Sequence, residues 1–244
     1  MKISPNPNVD ALRLGYTGTQ ANTNFPTILP ADEYYARNLL KERYVFMQDV
    51  AYEYGFRFSK KQIYSLVQSM PSKKKLEELS AINGILIPTI ERDCSLAHFR
   101  DIIGQPYYPR GELYFQKPTQ KFFHSEFVGT AKWLLIGERP CSGSLNQTWE
   151  FQQNFLTGDD YFPSAIEIMY ALTTYYRIRC SCQLSEVYFR TSSVSDKKVN
   201  NVNQHIIVGG SGTDGLVVQE CENDIPWPKV GVLRALKNDN YYSN

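Results

Sequence analysis

Between residues 31 and 104 apolar side chains recur at spacings of three and four, and beyond Gln105 that period gives way to short apolar runs broken by turn residues. A chain that changes period in this way cannot be all-α or all-β. It predicts an α+β protein in which a helical N-terminal unit precedes a region of short antiparallel strands. The boundary falls where Pro106, Pro109 and Gly111 cluster, so the expected division is an extended arm and helical unit over residues 1–105 and an α+β domain over 106–244.

Pro5, Pro7, Pro26 and Pro30 break helical continuity at the start, which points to an extended arm. Ala36, Leu40, Tyr44, Met47, Ala51 and Tyr54 then predict one helix from Ala31, with Gly55 placed for a left-handed cap. Ser59 and Gln62 form a capping-box pair ahead of a face made by Ile63, Leu66, Val67 and Met70. Pro71 ends that helix, Ser72 caps a third through Leu76 and Leu79, and Gly84 closes it. A fourth is expected over Ser95 to Ile103, so the first hundred residues read as helical throughout.

In the second region the strand signals are Leu113 to Phe115, Trp133 to Ile136, Val187 to Arg190, His205 to Val208, Leu216 to Gln219 and Gly231 to Ala235. Two helices interrupt them. One lies near Thr148 to Phe155, and a longer one runs from Pro163 to about Arg179 with a stripe of Ala165, Ile168, Met169, Leu172 and Tyr176. The segment from Gly209 to Gly215 lacks the Gly-Lys-Ser/Thr ending and following helix of a phosphate loop, so it is expected to be a hairpin turn.

Lys and Arg total 26 against 25 Asp and Glu, a balance that offers no field for nucleic acid or an anionic membrane. The run Lys73 to Lys75 reads as a solvated helix face. No segment has the apolar length of a membrane span and the start lacks a signal-peptide stretch, so a cytoplasmic setting is expected; carriage on a phage particle or export by another route would leave the same sequence. The 5 Cys residues, an odd and scattered set, suit a reducing compartment.

Catalytic and metal chemistry finds little support. Cys180, Cys182, His205 and Cys221 are the one grouping to weigh for a metal, and a single spacer residue between thiols is unusual for zinc. Cys94 and His98 would share a face if both were helical. Asp159 and Asp160 precede the helix at Pro163, where acidic groups meet the helix dipole favourably, with Glu167 a few residues on. No cofactor, metal site or catalytic residue is assigned. The enzyme alternative is a hydrolase or transferase built on Cys94 or Asp160 with His98 or His124 as base, and a third reading is a structural component of a phage or cellular assembly using the arm.

One resemblance spans about 110 residues from Lys132 onward. Pro163-Ser-Ala-Ile-Glu-Ile-Met-Tyr-Ala, Val187-Tyr-Phe-Arg-Thr-Ser-Ser-Val, Val208-Gly, Asp214-Gly-Leu and Gly231-Val-Leu-Arg-Ala-Leu-Lys resemble uncharacterised bacterial proteins similar to C-type-lectin-like variable proteins of diversity-generating retroelements. The resemblance implies a C-type-lectin-like domain, closed by a fixed strand at Gly231 to Lys237, that binds a protein or glycan through side chains just before it. By position these are Gln219, Glu220, Glu222, Asn223, Asp224 and Trp227, with Trp227 as the aromatic anchor. Ile225, Pro226 and Pro228 stand where adenine-directed rewriting favours Asn, Tyr, Ser and Asp, so either the stretch is not diversified or the resemblance stops at the fold.

Overall fold

The computed structural model describes residues 31–55, 57–90, 92–95, 114–115, 127–129, 131–179, 187–212 and 215–240. The arm over residues 1–30 and most of the helix expected after Ser95 lie outside them. The architecture is α+β. Helices α1 (Ala31–Leu40), α2 (Met47–Tyr54), α3 (Lys60–Gln68) and α4 (Lys73–Ala81) come first. Later α5 (Trp149–Gln152) and α6 (Ala165–Arg179) are set among the strands.

The caps expected at Ser59, Ser72 and Gly55 form, and Thr148 adds another. Ser59 and Gln62 make both bonds of a capping box, the Ser72 side chain accepts from Lys75 N, Thr148 accepts from Phe151 N, and Gly55 takes φ 64° with its N–H bonded to Ala51 and Tyr52 carbonyls.

The single helix expected from Ala31 to Tyr54 is corrected to two. The chain leaves α1 through a 3-10 turn at Lys41–Arg43 and runs extended to Phe46. There Tyr44 bridges to Leu86, and Val45 N donates to the Leu86 carbonyl at 2.9 Å. Tyr44 is buried, its hydroxyl bonds Glu33 at 2.9 Å, and its ring meets Phe46 edge-on at 5.0 Å. This long-range pairing overrides the local helical period.

The wholly helical reading of the first hundred residues is also corrected. β1 (Ile85–Pro88) is buried along its length and pairs antiparallel with β5 (Trp133–Ile136); β2 (Arg92–Ser95) pairs with β4 (Phe127–Gly129). A strand covered on both faces shows no alternation, which hid β1 from the periodicity reading. The left-handed residue after α4 is Asn83, at φ 52°, rather than Gly84. Gly84 serves close approach: a Cβ there would lie 2.1 Å from Leu79 Cδ1.

A four-stranded sheet has the order β1-β5-β11-β6, with β6 (Asp160–Tyr161) and β11 (Ala235–Leu236) at one side. A five-stranded sheet has the order β10-β7-β8-β9-β3. Its strands are β3 (Tyr114–Phe115), β7 (Tyr188–Val199), β8 (Val202–Gly212), β9 (Gly215–Cys221) and β10 (Val230–Val232).

The expected strands at Val187 and His205 are the base of a much longer hairpin, joined through Asn200 and Asn201 at φ 51° and 64°. Positive φ at both central residues matches the right-handed twist of the flanking strands. The glycine-rich segment closes the β8–β9 hairpin, with Gly212 opposite Gly215. The strand expected over Gly231 to Ala235 divides instead: β10 belongs to the larger sheet and β11 to the smaller.

Helix α6 lies between the sheets, against β4, β5, β7 and β8, with α2 on its outer side. Ser164 and Glu167 cap it reciprocally, at 3.0 and 3.3 Å. Its buried surface leaves Tyr176 of the expected stripe half-buried and adds Ile166, Tyr170, Ala171, Thr173, Thr174, Tyr175 and Ile178, because both sheets cover it. Tyr170 donates to the Pro88 carbonyl at 2.7 Å, and Trp133 Nε1 donates to Leu66 O at 2.7 Å. Residues on both sides of position 105 thus share one sheet and one apolar core. Lys75, expected on a solvated face, is buried and paired with Glu78 at 2.7 Å. No helix of the described residues is long and apolar enough to cross a membrane.

Candidate functional site

The larger sheet has two unlike faces. Side chains alternate along a strand, and the register places Phe189 beside Val208 and Val218, while Arg190 lies beside Ile207 and Gln219. Phe189, Ile206, Val208, Leu216 and Val218 enter the main core. The opposite face carries a small apolar cluster of Ile207, Cys221 and Val230, flanked by Tyr188 and Trp227. Arg190 and His205 stand on that second face.

The loop from Glu222 to Lys229 leaves β9 and crosses this face before β10. Asn223 ties it down. Its Oδ1 accepts from His205 Nδ1 at 2.8 Å and from His205 N at 3.3 Å, while its Nδ2 donates to the Asn203 carbonyl at 3.0 Å. The bond to Asn203 fixes which end of the amide faces the ring, so Nδ1 carries the imidazole proton. Burial pushes the His205 pKa down. Trp149, at the start of α5, lies 3.8 Å from the imidazole between ring centroids and packs on Phe162 at 4.5 Å. Its backbone N–H donates to the Asn223 carbonyl at 2.8 Å, and Lys229 N donates to Asn146 Oδ1 at 2.8 Å.

Against this frame the six sequence-derived ligand residues separate. Gln219 and Glu220 are half-buried members of β9 opposite Ile207 and Ile206. Glu222 offers its carbonyl to Arg190 Nη1 at 3.1 Å. Asn223 and Trp227 turn inward, one into the His205 network and the other onto the small cluster. Asp224 is exposed, followed by exposed Ile225 and Pro226, with Ile225 at 48%. The structure therefore puts Gln219 and Glu220 on opposite faces of β9, an inner strand between β8 and β3, and the other four on the loop that follows, with Asp224 alone among the six exposed.

Arg190, His205 and Trp149 complete the site. Arg190 is fully buried, and among the described residues its Nε and Nη2 have no hydrogen-bond partner. Burial lowers its pKa, and no carboxylate among the described residues pairs with it. Trp227 Nε1 is a second buried donor without an acceptor among the described residues. Cys221, opposite His205, is a free thiol pushed up to about 11 by burial, against a lowering influence from Arg190. The sequence signal for Arg190 was its position among Val187, Tyr188 and Phe189, a charge inside an otherwise apolar strand.

The other chemical candidates have structural surroundings. Asp160 receives bonds from Thr157 and an ion pair from Arg234 at 3.1 Å. Glu167 caps α6 and pairs with Lys132 at 2.9 Å. Cys94 belongs to strand β2, so the helical spacing that related it to His98 does not apply. His98, His124, Cys180 and Cys182 lie outside the described residues. Among the described residues no three His, Cys, Asp or Glu side chains gather as a metal-binding group. Gly209 faces a strand rather than a ligand, since a Cβ there would lie 2.2 Å from the Val187 carbonyl oxygen.

Neither the models of known protein families, nor the curated proteins, nor the solved structures contain a match to this chain.

Proposed function

We propose that the protein is a non-enzymatic recognition protein that binds a protein or glycan ligand through the loop between Glu222 and Lys229. The observation that carries this reading is an exposed tip, Asp224 to Pro226, mounted on a frame held by Asn223, His205 and Trp149. Loops held by a rigid scaffold are where binding residues concentrate, because anchoring removes much of the ordering cost of association.

Two further features support it. Leu145 and Phe151, 36% and 50% exposed, lie on the segment that hydrogen-bonds the loop, and so add apolar surface next to the tip. The motifs behind the resemblance to C-type-lectin-like variable proteins fall on coherent elements: the Pro163 run at the capped start of α6, the Val187 run on β7, and Gly231 to Lys237 across β10 and β11. In this reading Asp224 and Ile225 touch the ligand and Trp227 holds the loop from below.

The test is binding of the full chain to a glycan array and to candidate protein ligands, followed by Asp224→Ala and Trp227→Ala on the ligand found. Each variant is expected to weaken binding at least about tenfold while the melting profile of Asp224→Ala stays at that of the parent. Unchanged affinity in both would remove the assignment. Flanking DNA supplies a second test, through a near-copy of the codons for this loop differing at adenines beside a reverse transcriptase gene.

A further inference from the structure

Beneath the same loop, two donors face inward without acceptors. Arg190 uses Nη1 on the Glu222 carbonyl and, among the described residues, leaves the edge formed by Nε and Nη2 unbonded; Trp227 Nε1 is likewise unbonded among them, and all three atoms are buried. The Nε–Nη2 edge presents two parallel N–H groups at the spacing of the two oxygens of a carboxylate. Both groups border the same small cluster: Arg190 is opposite Ile207, and Ile207 belongs to the cluster against which Trp227 packs. Buried polar groups in folded proteins are nearly always partnered, and a buried guanidinium with one bond and no counter-ion is an extreme exception.

The neighbouring groups leave the charge unpaired among the described residues: Glu222 meets Arg190 through its backbone carbonyl and not its carboxylate. His205 is bonded through Nδ1 to Asn223 and is held neutral by burial, and Cys221 is a buried thiol held in its protonated form. On the guanidinium and the indole the unpartnered atoms are all N–H donors. An anion with two coplanar oxygens matches the guanidinium edge.

We propose that Arg190 and Trp227 form a carboxylate-binding site under the loop from Glu222 to Lys229, with the loop as its cover. A carboxylate gives one oxygen to each N–H of the arginine edge, and one of them also accepts from the indole N–H. Access requires the loop to lift, and the loop is held mainly by side-chain and single backbone bonds through Asn223, Glu222 and Lys229. The site does not depend on the tip's role in recognition.

The experiment titrates sodium acetate into the 15N-labelled full chain at constant ionic strength, balanced with sodium chloride, and follows the Trp227 indole and Arg190 Nε–H signals. Both are expected to shift saturably, and the melting temperature to rise with acetate. Arg190→Met should lose both responses. Arg190→Lys, which keeps the charge without the fork, should weaken acetate binding at least about tenfold and serves if the Met variant does not fold. A tetraglutamate peptide that displaces acetate makes the source an acidic segment of a macromolecule, and one that does not makes it a small carboxylate; both outcomes support the site. No saturable shift in the parent chain, or an equal shift in Arg190→Lys, overturns it. Loss of ligand binding in Asp224→Ala reports on the tip alone, so failure of one reading leaves the other distinguishable.

Discussion

The two faces of the larger sheet are made by the same strands, residue by residue, yet they hold opposite kinds of chemistry. Phe189 and Arg190 are neighbours on β7 and both are fully buried. Phe189 points into an apolar core shared with α6, where every contact adds dispersion and removes apolar surface from water. Arg190 points to a small mixed layer of His205, Cys221, Asn223 and the tryptophans, where the same burial isolates a charge. Burial alone thus says little about what a residue contributes. One face has the composition of a stabilising core, and the other has that of a site.

If the inner face is the stabilising one, the largest effect belongs there: Phe189→Ala should cost about 3–5 kcal/mol of unfolding free energy in denaturant titration. A loss below about 1 kcal/mol would mean that the faces do not differ in this way.

A smaller loss is expected on the second face. Asn223→Ala removes bonds to His205 and Asn203 and should cost about 1–3 kcal/mol, while also loosening the loop enough to speed amide exchange at Asp224 and Ile225. Exchange confined to the hairpin tip near Asn200 would place the mobile element elsewhere.

The pH dependence sharpens the comparison further. His205 binds its proton less readily when folded than its ordinary value of 6.5, because burial disfavours the charged ring. The unfolded chain takes up the proton first, so stability should fall as pH drops below about 6.5 and level off below the folded pKa. His205→Gln should reduce that slope, as measured by thermal melts between pH 7.5 and 5 buffered at constant ionic strength. The smallest signal is chemical: Cys221, with its thiol pushed up to about 11, should label with a maleimide far more slowly at neutral pH than an exposed thiol, and rapidly once unfolded.

What could be read from the sequence was local. Ser59 with Gln62, Gly55, Thr148 and the strand from Trp133 to Ile136 are where their chemistry places them, because caps, turns and short apolar runs carry their own signals. What could not be read was set by distant partners. Tyr44 leaves the helix to pair with Leu86, 42 positions on in sequence, and the interruption has no local mark. The hairpin turn at Asn200 and Asn201 did have one, a pair of residues tolerant of positive φ between two valines.

The site was legible as a location and not as an orientation. Position identified the stretch from Gln219 to Trp227, but whether Asn223 and Trp227 turn inward depends on what covers the sheet, and Trp149 comes from seventy-odd residues earlier. Arg190 sits in the same position: strand alternation separates it from Phe189 without revealing that its face is closed over.

The most direct test of the account is a comparison of Phe189→Ala with Arg190→Met in carboxylate-free buffer. Replacing a buried, uncompensated charge by an apolar group of similar size is neutral or stabilising when that charge carries no structural role. Arg190→Met gives up one bond to the Glu222 carbonyl along with the charge, so the account predicts that it melts close to the parent temperature while Phe189→Ala melts well below it. Equal large losses in the two variants would contradict it, and would make Arg190 as much a part of the stabilising core as its neighbour.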